Sequence, residues 1–300
     1  MKGHKLSNSK TLAISTYLIG IFLIIEAVGG IMANSLALLA DAGHMLSDFL
    51  AVLLSLIASR YVYKPADNKR SFGYGRMQII ASFINGITLV GISIIIAITA
   101  VIRMINPPTV EPNIMLGVSS IGIIVNVITL YILHLSKNKN LNMKGAILHI
   151  IGDLLGFISA LVGAIIIKFT HLYIVDPILS ILISALILNS SIRLIRESLH
   201  ILMEGAPKDI QPNDIKNTLL QIDGVVDVEH IHLWLLHDQY TMLTLNLILN
   251  DSVNPFDIIK LADQKLKAQH NIQHSTIEVI KYNSNEYTSR SYDHHHIIGD

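Results

Sequence analysis

Long apolar segments separated by short polar turns fill the first two thirds of the chain. Each segment comes close to the roughly 20 residues that a helix needs to cross the hydrocarbon core of a bilayer. The first segment lacks a small-residue cleavage site and is followed by others of similar length, which favours a retained span over a signal peptide. The pattern predicts six membrane-spanning helices, at 11–33, 36–59, 79–102, 114–135, 145–168 and 177–195.

Basic residues flank these segments unevenly. If the amino terminus is cytoplasmic, eleven Lys and Arg residues lie in the inner segments, whereas only Arg103 and Lys168 lie in the outer ones. Membrane proteins carry an excess of basic residues in their cytoplasmic loops. We therefore predict that both termini lie in the cytoplasm.

The hydrophobic pattern changes after residue 206 to that of a small soluble domain. Asn254 is placed to cap a helix that begins with Pro255 and has Asp257 in its first turn, which is favourable start chemistry. The segments follow an αββαβ order, for which a ferredoxin-like packing is the simplest arrangement. The predicted elements are helices at about 213–221 and 255–269 and strands at about 225–235, 240–249 and 274–282.

The predicted fold class is therefore a membrane all-α bundle of six transmembrane helices, followed by an α+β ferredoxin-like cytoplasmic domain. The tail is polar and is predicted to be disordered. The predicted boundaries are 1–10 for a cytoplasmic N-terminal segment, 11–206 for the transmembrane domain, 207–283 for the cytoplasmic domain and 284–300 for the tail, which contains His294, His295 and His296.

Charge and composition support two domains and restrict the chemistry. The net charge is zero, but residues 1–204 hold 15 basic and 9 acidic residues, whereas residues 205–300 hold 7 and 13. No cysteine is present. A metal site in this chain must therefore use imidazole, carboxylate, carbonyl or water ligands.

Six ionisable side chains interrupt the apolar segments. Such residues are costly in hydrocarbon and mark functional pathways by default. Among the uncharged polar residues, Asn85 and Asn126 are interpreted, together with Glu26, as interhelical polar contacts. Asp41 fits either a relay position beside a metal site or an interhelical bond. The six ionisable residues are Glu26, Asp41, His44, Asp48, His149 and Asp153.

Two of the segments each contain a His followed four residues later by an Asp. His44 and Asp48 form one pair, and His149 and Asp153 form the other. A spacing of four residues places both side chains on one helical face, so each helix offers one nitrogen and one oxygen ligand in the same direction. Two such faces provide four ligands that suit tetrahedral Zn²⁺, with cobalt and cadmium as further candidates. The alternative is that each pair is a structural interhelical bond.

Transport requires such a site to open alternately to each side of the membrane, as rocking helix groups allow. Metal and protons also compete for these ligands, because imidazole binds metal only when neutral and carboxylate only when ionised. Exchange of metal for protons is therefore our main hypothesis. A passive metal channel and a metal sensor remain as alternatives.

Five segments carry a resemblance to a known family. They read SLALLADAGHMLSD at 35–48, RSFGYGR at 70–76, HIIGDLLG at 149–156, DPILS at 176–180 and VEHIHLW at 228–234. Together they resemble the cation diffusion facilitator family of zinc and cadmium exporters, over about 11–282.

The resemblance implies a homodimer with six spans, cytoplasmic termini, a ferredoxin-like cytoplasmic domain and exchange of metal for protons. It places the transport site at His44, Asp48, His149 and Asp153. A histidine rather than an aspartate at the first of these positions resembles the zinc and cadmium branch of the family. Loop 136–144 lacks a His-rich insertion, which favours a bacterial plasma membrane.

Two cytoplasmic segments bear on the question of further metal sites. Some bacterial members of that family hold a second metal in the loop before the third span, where this chain has Asn68, Arg70 and Tyr74, so that site is predicted to be absent. His230 and His232 are expected to alternate onto one face of a strand. A cytoplasmic or regulatory Zn²⁺ site using His232 and His274 is therefore a hypothesis, across the sheet or across a dimer contact.

The remaining partners follow from what the sequence lacks and from its charge. No His-Glu-x-x-His, Gly-x-Ser-x-Gly or Gly-x-x-x-x-Gly-Lys motif is present, so we predict neither hydrolysis nor a dependence on ATP. The expected partners are the lipid bilayer, divalent metal ions, protons and a second copy of the chain. Neither an organic cofactor nor a nucleic acid is expected. Arg76 and Glu204 are candidates for a charge contact.

Overall fold

The computed structural model describes residues 8–62, 67–134, 141–237 and 240–282. Residues 1–7, the predicted turn at 238–239 and the histidine-containing tail lie outside the described residues. Side chains are described at all of these positions except 8–16, 18–19, 48, 51–62, 133–134, 141–146 and 148–149.

Six long helices precede a smaller mixed region in the described chain, and each predicted apolar segment falls on one of the six. The long helices are α1 (Asn8–Ala33), α2 (Leu36–Val62), α3 (Arg76–Ile105), α4 (Pro112–His134), α5 (Leu141–Thr170) and α6 (Val175–Leu202). The elements that follow are α7 (Pro212–Leu220), β1 (Val225–His237), β2 (Tyr240–Leu249), α8 (Pro255–His270) and β3 (His274–Lys281).

The first region is a helical membrane domain. Within the described ranges, four helices are long and apolar enough to cross a membrane, and they belong to α3, α4, α5 and α6. Shorter apolar stretches lie in α1, at Gly20–Ala33, and in α2, at Leu36–Ser47.

The chain divides into two compact units. The first lies within Met1–Arg60 and Ala81–Arg196, and the second within Tyr61–Ile80 and Glu197–Asp300. This division groups the loop before α3 and the end of α6 with the C-terminal sheet.

Close packing of α1, α4 and α5 forms the core of the first unit. The rings of Phe22 and Phe157 meet edge to face with their centroids 5.3 Å apart, and both side chains are buried. A Cβ atom at Gly122 of α4 would lie 2.6 Å from the Phe157 ring. Only glycine therefore allows α4 to approach α5 this closely.

A three-stranded sheet organises the second unit. The central strand β2 pairs antiparallel with β1 and parallel with β3, in the order β1-β2-β3. Alternate leucines of β2 pack against α7 and α8 in one apolar core, which contains Leu243, Leu245, Leu247, Leu219 and Leu266. The observed αββαβ element order is the predicted one.

Helix α8 begins as its sequence predicts. The side chain of Asn254 accepts a hydrogen bond from the backbone N–H of Phe256 at 3.1 Å, and Pro255 occupies the first helical position. The helix ends at Asn271, which adopts a left-handed conformation with φ 51°. Asparagine tolerates this conformation at the end of a helix.

Strand β1 is irregular in its middle. Its register against β2 shifts between Glu229 and His232, and His230 has a φ of 51°. A bulge of this kind interrupts the regular alternation of side chains. The expectation that His230 and His232 simply alternate onto one face is therefore wrong, because a left-handed residue interrupts the strand between Glu229 and His232.

The turn between α1 and α2 is held by bonds from distant parts of the first unit. Asn34 adopts a left-handed conformation with φ 52°. The guanidinium of Arg103 donates to the backbone oxygen of Asn34 at 2.9 Å and to its side-chain oxygen at 3.0 Å. The Asn34 amide in turn donates to the carbonyl of Thr109 at 3.1 Å.

Asp176 of α6 caps the start of α2. Its carboxylate accepts hydrogen bonds from the Ser35 hydroxyl at 2.5 Å and from the backbone N–H groups of Leu36 at 2.8 Å and Ala37 at 3.3 Å. The Ser35 hydroxyl also accepts from Leu38 N–H at 3.2 Å. Together the two side chains satisfy N–H groups that a helix start otherwise leaves without partners.

We expect Asp176→Ala to lower the free energy of unfolding by about 1–3 kcal/mol, because it leaves buried donors of α2 unsatisfied. Thermal unfolding of the purified protein in detergent measures this. Glu111→Ala, which removes an exposed carboxylate in the same unit, serves as the control. Equal melting temperatures for the two variants would contradict the capping role.

Candidate metal site

His44 and Asp153 face each other from two membrane helices. His44 lies on α2 and Asp153 on α5, and the Nε2 and Oδ1 atoms are 4.0 Å apart. The side chains retain 23% and 14% of their exposure, so both are largely buried but still accessible. The described structure thus brings together one nitrogen and one oxygen ligand from the two predicted pairs.

A second point of approach lies one turn away on the same helices. A Cβ atom at Gly156 of α5 would lie 3.5 Å from the Oδ1 atom of Asp41 on α2. Asp41 precedes His44 by three residues, whereas Gly156 follows Asp153 by three. The facing surfaces of α2 and α5 therefore run antiparallel at this level.

The other two predicted ligands lie on these helices at positions whose side chains are outside the described residues. Asp48 belongs to α2, four residues after His44, and His149 belongs to α5, four residues before Asp153. Among the side chains that are described, no group of three or more His, Asp or Glu residues is placed to hold a metal ion.

Glu26 brings a third helix to this region. It lies on α1, has no exposed surface, and lies near the carboxyl groups of Asp41 and Asp153. The sequence pattern indicated only an interhelical contact for Glu26. Its proximity to α2 and α5 could not be deduced from a single polar residue in an apolar helix.

Asn85 and Asn126 form different kinds of hydrogen bond. Asn85 of α3 donates to the Ser47 hydroxyl of α2 at 2.8 Å, which confirms an interhelical contact. Asn126 donates to the carbonyl of Gly122 in its own helix at 3.1 Å. This bond lies within α4, so an interhelical contact of Asn126 stays a prediction.

Comparison with known proteins identifies the family. The model of the cation efflux transmembrane domain matches residues 12–203. This chain belongs to the cation efflux family. The model of the cation efflux protein cytoplasmic domain matches residues 207–282. The family consists of transporters, so the chain is a membrane transport protein for cations and not an enzyme.

Several bacterial relatives cover most of the chain. The cadmium, cobalt and zinc/H(+)-K(+) antiporter of Bacillus subtilis is 38% identical over 90% of this chain and 87% of its own length. The zinc transporter ZitB of Escherichia coli is 39% identical over 86% and 83%. The metal cation efflux system protein CzcD of Cupriavidus metallidurans is 37% identical over 92% and 87%. These matches and the apolar helices indicate a multi-pass plasma membrane protein.

In this cation efflux protein, the carboxylate of Asp67 forms hydrogen bonds within the loop before α3. Asp67 accepts hydrogen bonds from the Tyr74 hydroxyl at 2.8 Å and from the N–H groups of Lys69 at 2.9 Å and Arg70 at 2.8 Å. The Arg70 guanidinium donates to the Tyr74 hydroxyl at 3.1 Å and lies over its ring. These bonds, with that of Tyr74 the strongest, lower the pKa of Asp67 below its ordinary value.

Among the described residues, His232 and His274 lie on the two outer strands of the sheet. His232 pairs with Thr244 of β2, whereas His274 of β3 pairs with Met242 on the other side of that strand. The two histidines therefore lie two strand spacings apart across the sheet and are offset by two residues along it, so their Cα atoms are roughly 12 Å apart. His274 instead lies near the ring of Phe72, at 6.5 Å between centroids. A regulatory site shared between two copies of the chain stays a prediction.

Arg76 and Glu204 form the charge contact that the sequence suggested. The guanidinium Nη2 of Arg76 and Oε1 of Glu204 are 3.1 Å apart within the second unit. Both side chains are substantially exposed, so this pair contributes little to stability.

We expect Tyr74→Phe to raise the pKa of Asp67 toward its ordinary value, because it removes the strongest hydrogen bond to the ionised carboxylate. In the native loop, the stabilisation from ionised Asp67 is complete above the ordinary carboxyl pKa and is lost as the pH falls through the lowered value. NMR titration of protein labelled at aspartate carboxyl carbons measures the pKa of Asp67 in the native chain and in the variant. A control is Tyr282→Phe, and an unchanged Asp67 titration would contradict this assignment.

Proposed function

We propose that this protein exports divalent metal, Zn²⁺ first among candidates and Cd²⁺ with it, from the cytoplasm in exchange for protons. The metal is held by His44, Asp48, His149 and Asp153 in a site that opens alternately to either side. The observation that supports this most directly is the opposition of His44 and Asp153 at 4.0 Å.

The separation of these two atoms suits a metal ion. Two ligands on a tetrahedral zinc at about 2.0–2.1 Å lie roughly 3.3 Å from each other. A movement of less than about 1 Å brings Nε2 of His44 and Oδ1 of Asp153 to that distance. Side-chain rotation alone allows a shift of this size.

The antiparallel register supports the remaining two ligands. Asp41 lies three residues before His44 on α2. It approaches α5 at Gly156, which lies three residues after Asp153. In the other direction, the same register carries Asp48 of α2 toward His149 of α5. Two imidazoles and two carboxylates would then surround one ion, which satisfies zinc without thiolates.

The proposed transport direction and metal are supported by the names of relatives, of which that from Cupriavidus metallidurans is called a metal cation efflux system protein. The Bacillus subtilis relative is named as an antiporter of cadmium, cobalt and zinc, and that of Escherichia coli as a zinc transporter. We extend zinc and cadmium transport to this chain on the strength of its imidazole ligands. The proposed exchange against protons rests on a further point, which is that protons and metal compete for the same four groups.

The topology completes the proposal. We assign one span to each of α1 to α6, with both termini in the cytoplasm as the basic residues indicate. The C-terminal αββαβ unit is assigned a ferredoxin-like fold, and its match to a cytoplasmic dimerisation module supports a homodimer. Residues 11–206 and 207–283 are the proposed domains.

Two other functions would use the same ligands. A passive channel would conduct metal without a proton requirement, and a sensor would bind metal without moving it. The named relatives are efflux transporters and an antiporter, which favours transport driven by ion exchange.

We expect Asp153→Ala and Asp48→Ala each to reduce zinc uptake by inside-out vesicles to the rate of vesicles without the protein, since each removes one carboxylate ligand. A fluorescent zinc indicator inside the vesicles measures the rate. Asp223→Ala, at an exposed turn of the cytoplasmic unit, is the control. Wild-type rates in both ligand variants would overturn the transport site.

We expect an acidic interior to accelerate zinc uptake by the same vesicles, because protons leaving the vesicle are exchanged for entering metal. A proton ionophore should remove the acceleration. If the rate is the same with and without the pH gradient, exchange is wrong and the passive channel takes its place.

A further inference from the structure

A cavity of about 380 Å³ lies where the loop before α3 meets the first turns of that helix. All of its lining residues belong to the second unit. Helix α3 begins at Arg76 and is apolar enough to cross a membrane, with a predicted span at 79–102. Because Arg76 precedes this span and Ile80 opens it, the cavity lies at the level of the lipid head groups.

Positive charge is concentrated in the lining of the cavity. Lys69, Arg70 and Arg76 contribute three basic groups, whereas Glu204 is the one acidic residue of the lining. Arg76 is paired with Glu204 at 3.1 Å. Asp67 accepts a hydrogen bond from the backbone N–H of Arg70 at 2.8 Å and offsets part of its charge. The ammonium group of Lys69 has no ion pair within the described part of the chain, so one positive charge is left over.

The two arginines also hold N–H donors that the described residues do not use. A guanidinium has five such donors. Arg70 donates to the Tyr74 hydroxyl, and Arg76 donates through Nη2 to Glu204, while the Nε atom of Arg76 has no hydrogen-bond partner among the described residues. Guanidinium groups bind phosphate through several N–H groups at once. A phosphate in this cavity would therefore find both donors and an excess of positive charge.

The rest of the lining is aromatic and apolar. Phe72, Met77 and Ile80 line the cavity and are exposed. Tyr74 and Trp234, the chain's single tryptophan, belong to the same lining. Tyrosine and tryptophan are enriched at the head-group level of membrane proteins. Met77 and Ile80 are three residues apart on α3 and so share a face that leads from the charged groups into the apolar span.

We propose that this cavity binds one anionic phospholipid of the cytoplasmic leaflet. Its phosphate contacts Lys69, Arg70 and Arg76, and one acyl chain follows Met77 and Ile80 along α3. The choice of leaflet rests on the proposed topology, in which the loop before α3 is cytoplasmic. A lipid fits better than free phosphate, because an acyl chain covers apolar side chains that free phosphate would leave in water.

Trp234 makes the proposal testable by fluorescence. Short-chain phosphatidylglycerol, titrated into the full-length protein in an uncharged detergent, should change the Trp234 fluorescence until it saturates. Phosphatidylcholine of the same chain length and sodium phosphate should not. Lys69→Gln should weaken the affinity for phosphatidylglycerol about fivefold, because it removes the unpaired charge. Lys260→Gln makes the same chemical change at an exposed position of α8 and should leave the affinity unchanged.

Lipid retention gives a readout that does not depend on fluorescence. The protein is incubated with equal amounts of phosphatidylglycerol and phosphatidylcholine and then analysed by native mass spectrometry. The native chain and Lys260→Gln should retain phosphatidylglycerol in preference to phosphatidylcholine. Lys69→Gln should retain less of it.

Three outcomes would overturn the proposal. The first is equal affinity and equal retention of phosphatidylglycerol in Lys69→Gln and Lys260→Gln. The second is a response to sodium phosphate as strong as that to the lipid, which would assign the cavity to free phosphate. The third is a Trp234 signal that follows protein concentration without lipid, which would assign it to a second copy of the chain. No metal enters these measurements, so their failure leaves the proposed transport site unaffected.

Discussion

A polar group inside a bilayer must find its partner within the protein, because hydrocarbon offers none. Several polar side chains described in the helical unit meet this constraint within their own helix or on a neighbouring one. Ser191 and Thr129 donate to carbonyls of their own helices, and Asn85 donates to Ser47. Glu26 does not follow this rule. The buried hydroxyls of Ser93 on α3 and Ser119 on α4 also lack a hydrogen-bond partner among the described residues, so the exceptions are spread over several helices.

Local features of the fold were predictable from the sequence, whereas features that depend on distant residues were not. The start of α8 was predicted because Asn254 and Pro255 act within one turn. The cap that Asp176 places on α2 joins residues about 140 positions apart, and no local pattern indicates such a contact. The bulge at His230 was missed for a related reason, since its sequence is that of a regular strand.

The candidate site likewise combines local features that were predictable with long-range features that were not. The spacing of four residues within each helix identified the two pairs, because helical geometry alone fixes which side chains share a face. Which residue of one helix opposes which residue of the other depends on the register of packing. The contacts of Asp41 at Gly156 and of His44 at Asp153 supply that register. Glu26 enters the region only through tertiary packing, so its single occurrence in α1 gave no usable signal.

The turn at Asn34 ties several segments of the helical unit together at one level. Arg103 binds it from α3, Asp176 holds the adjoining start of α2 from α6, and Glu111 donates its backbone N–H to Ala33 just before α4 begins. A body fixed at one end pivots there, and its displacement grows with distance from the pivot. The helices that leave this turn would therefore spread most easily at their far ends, whereas opening the unit at the Asn34 turn requires some of these hydrogen bonds to break or lengthen.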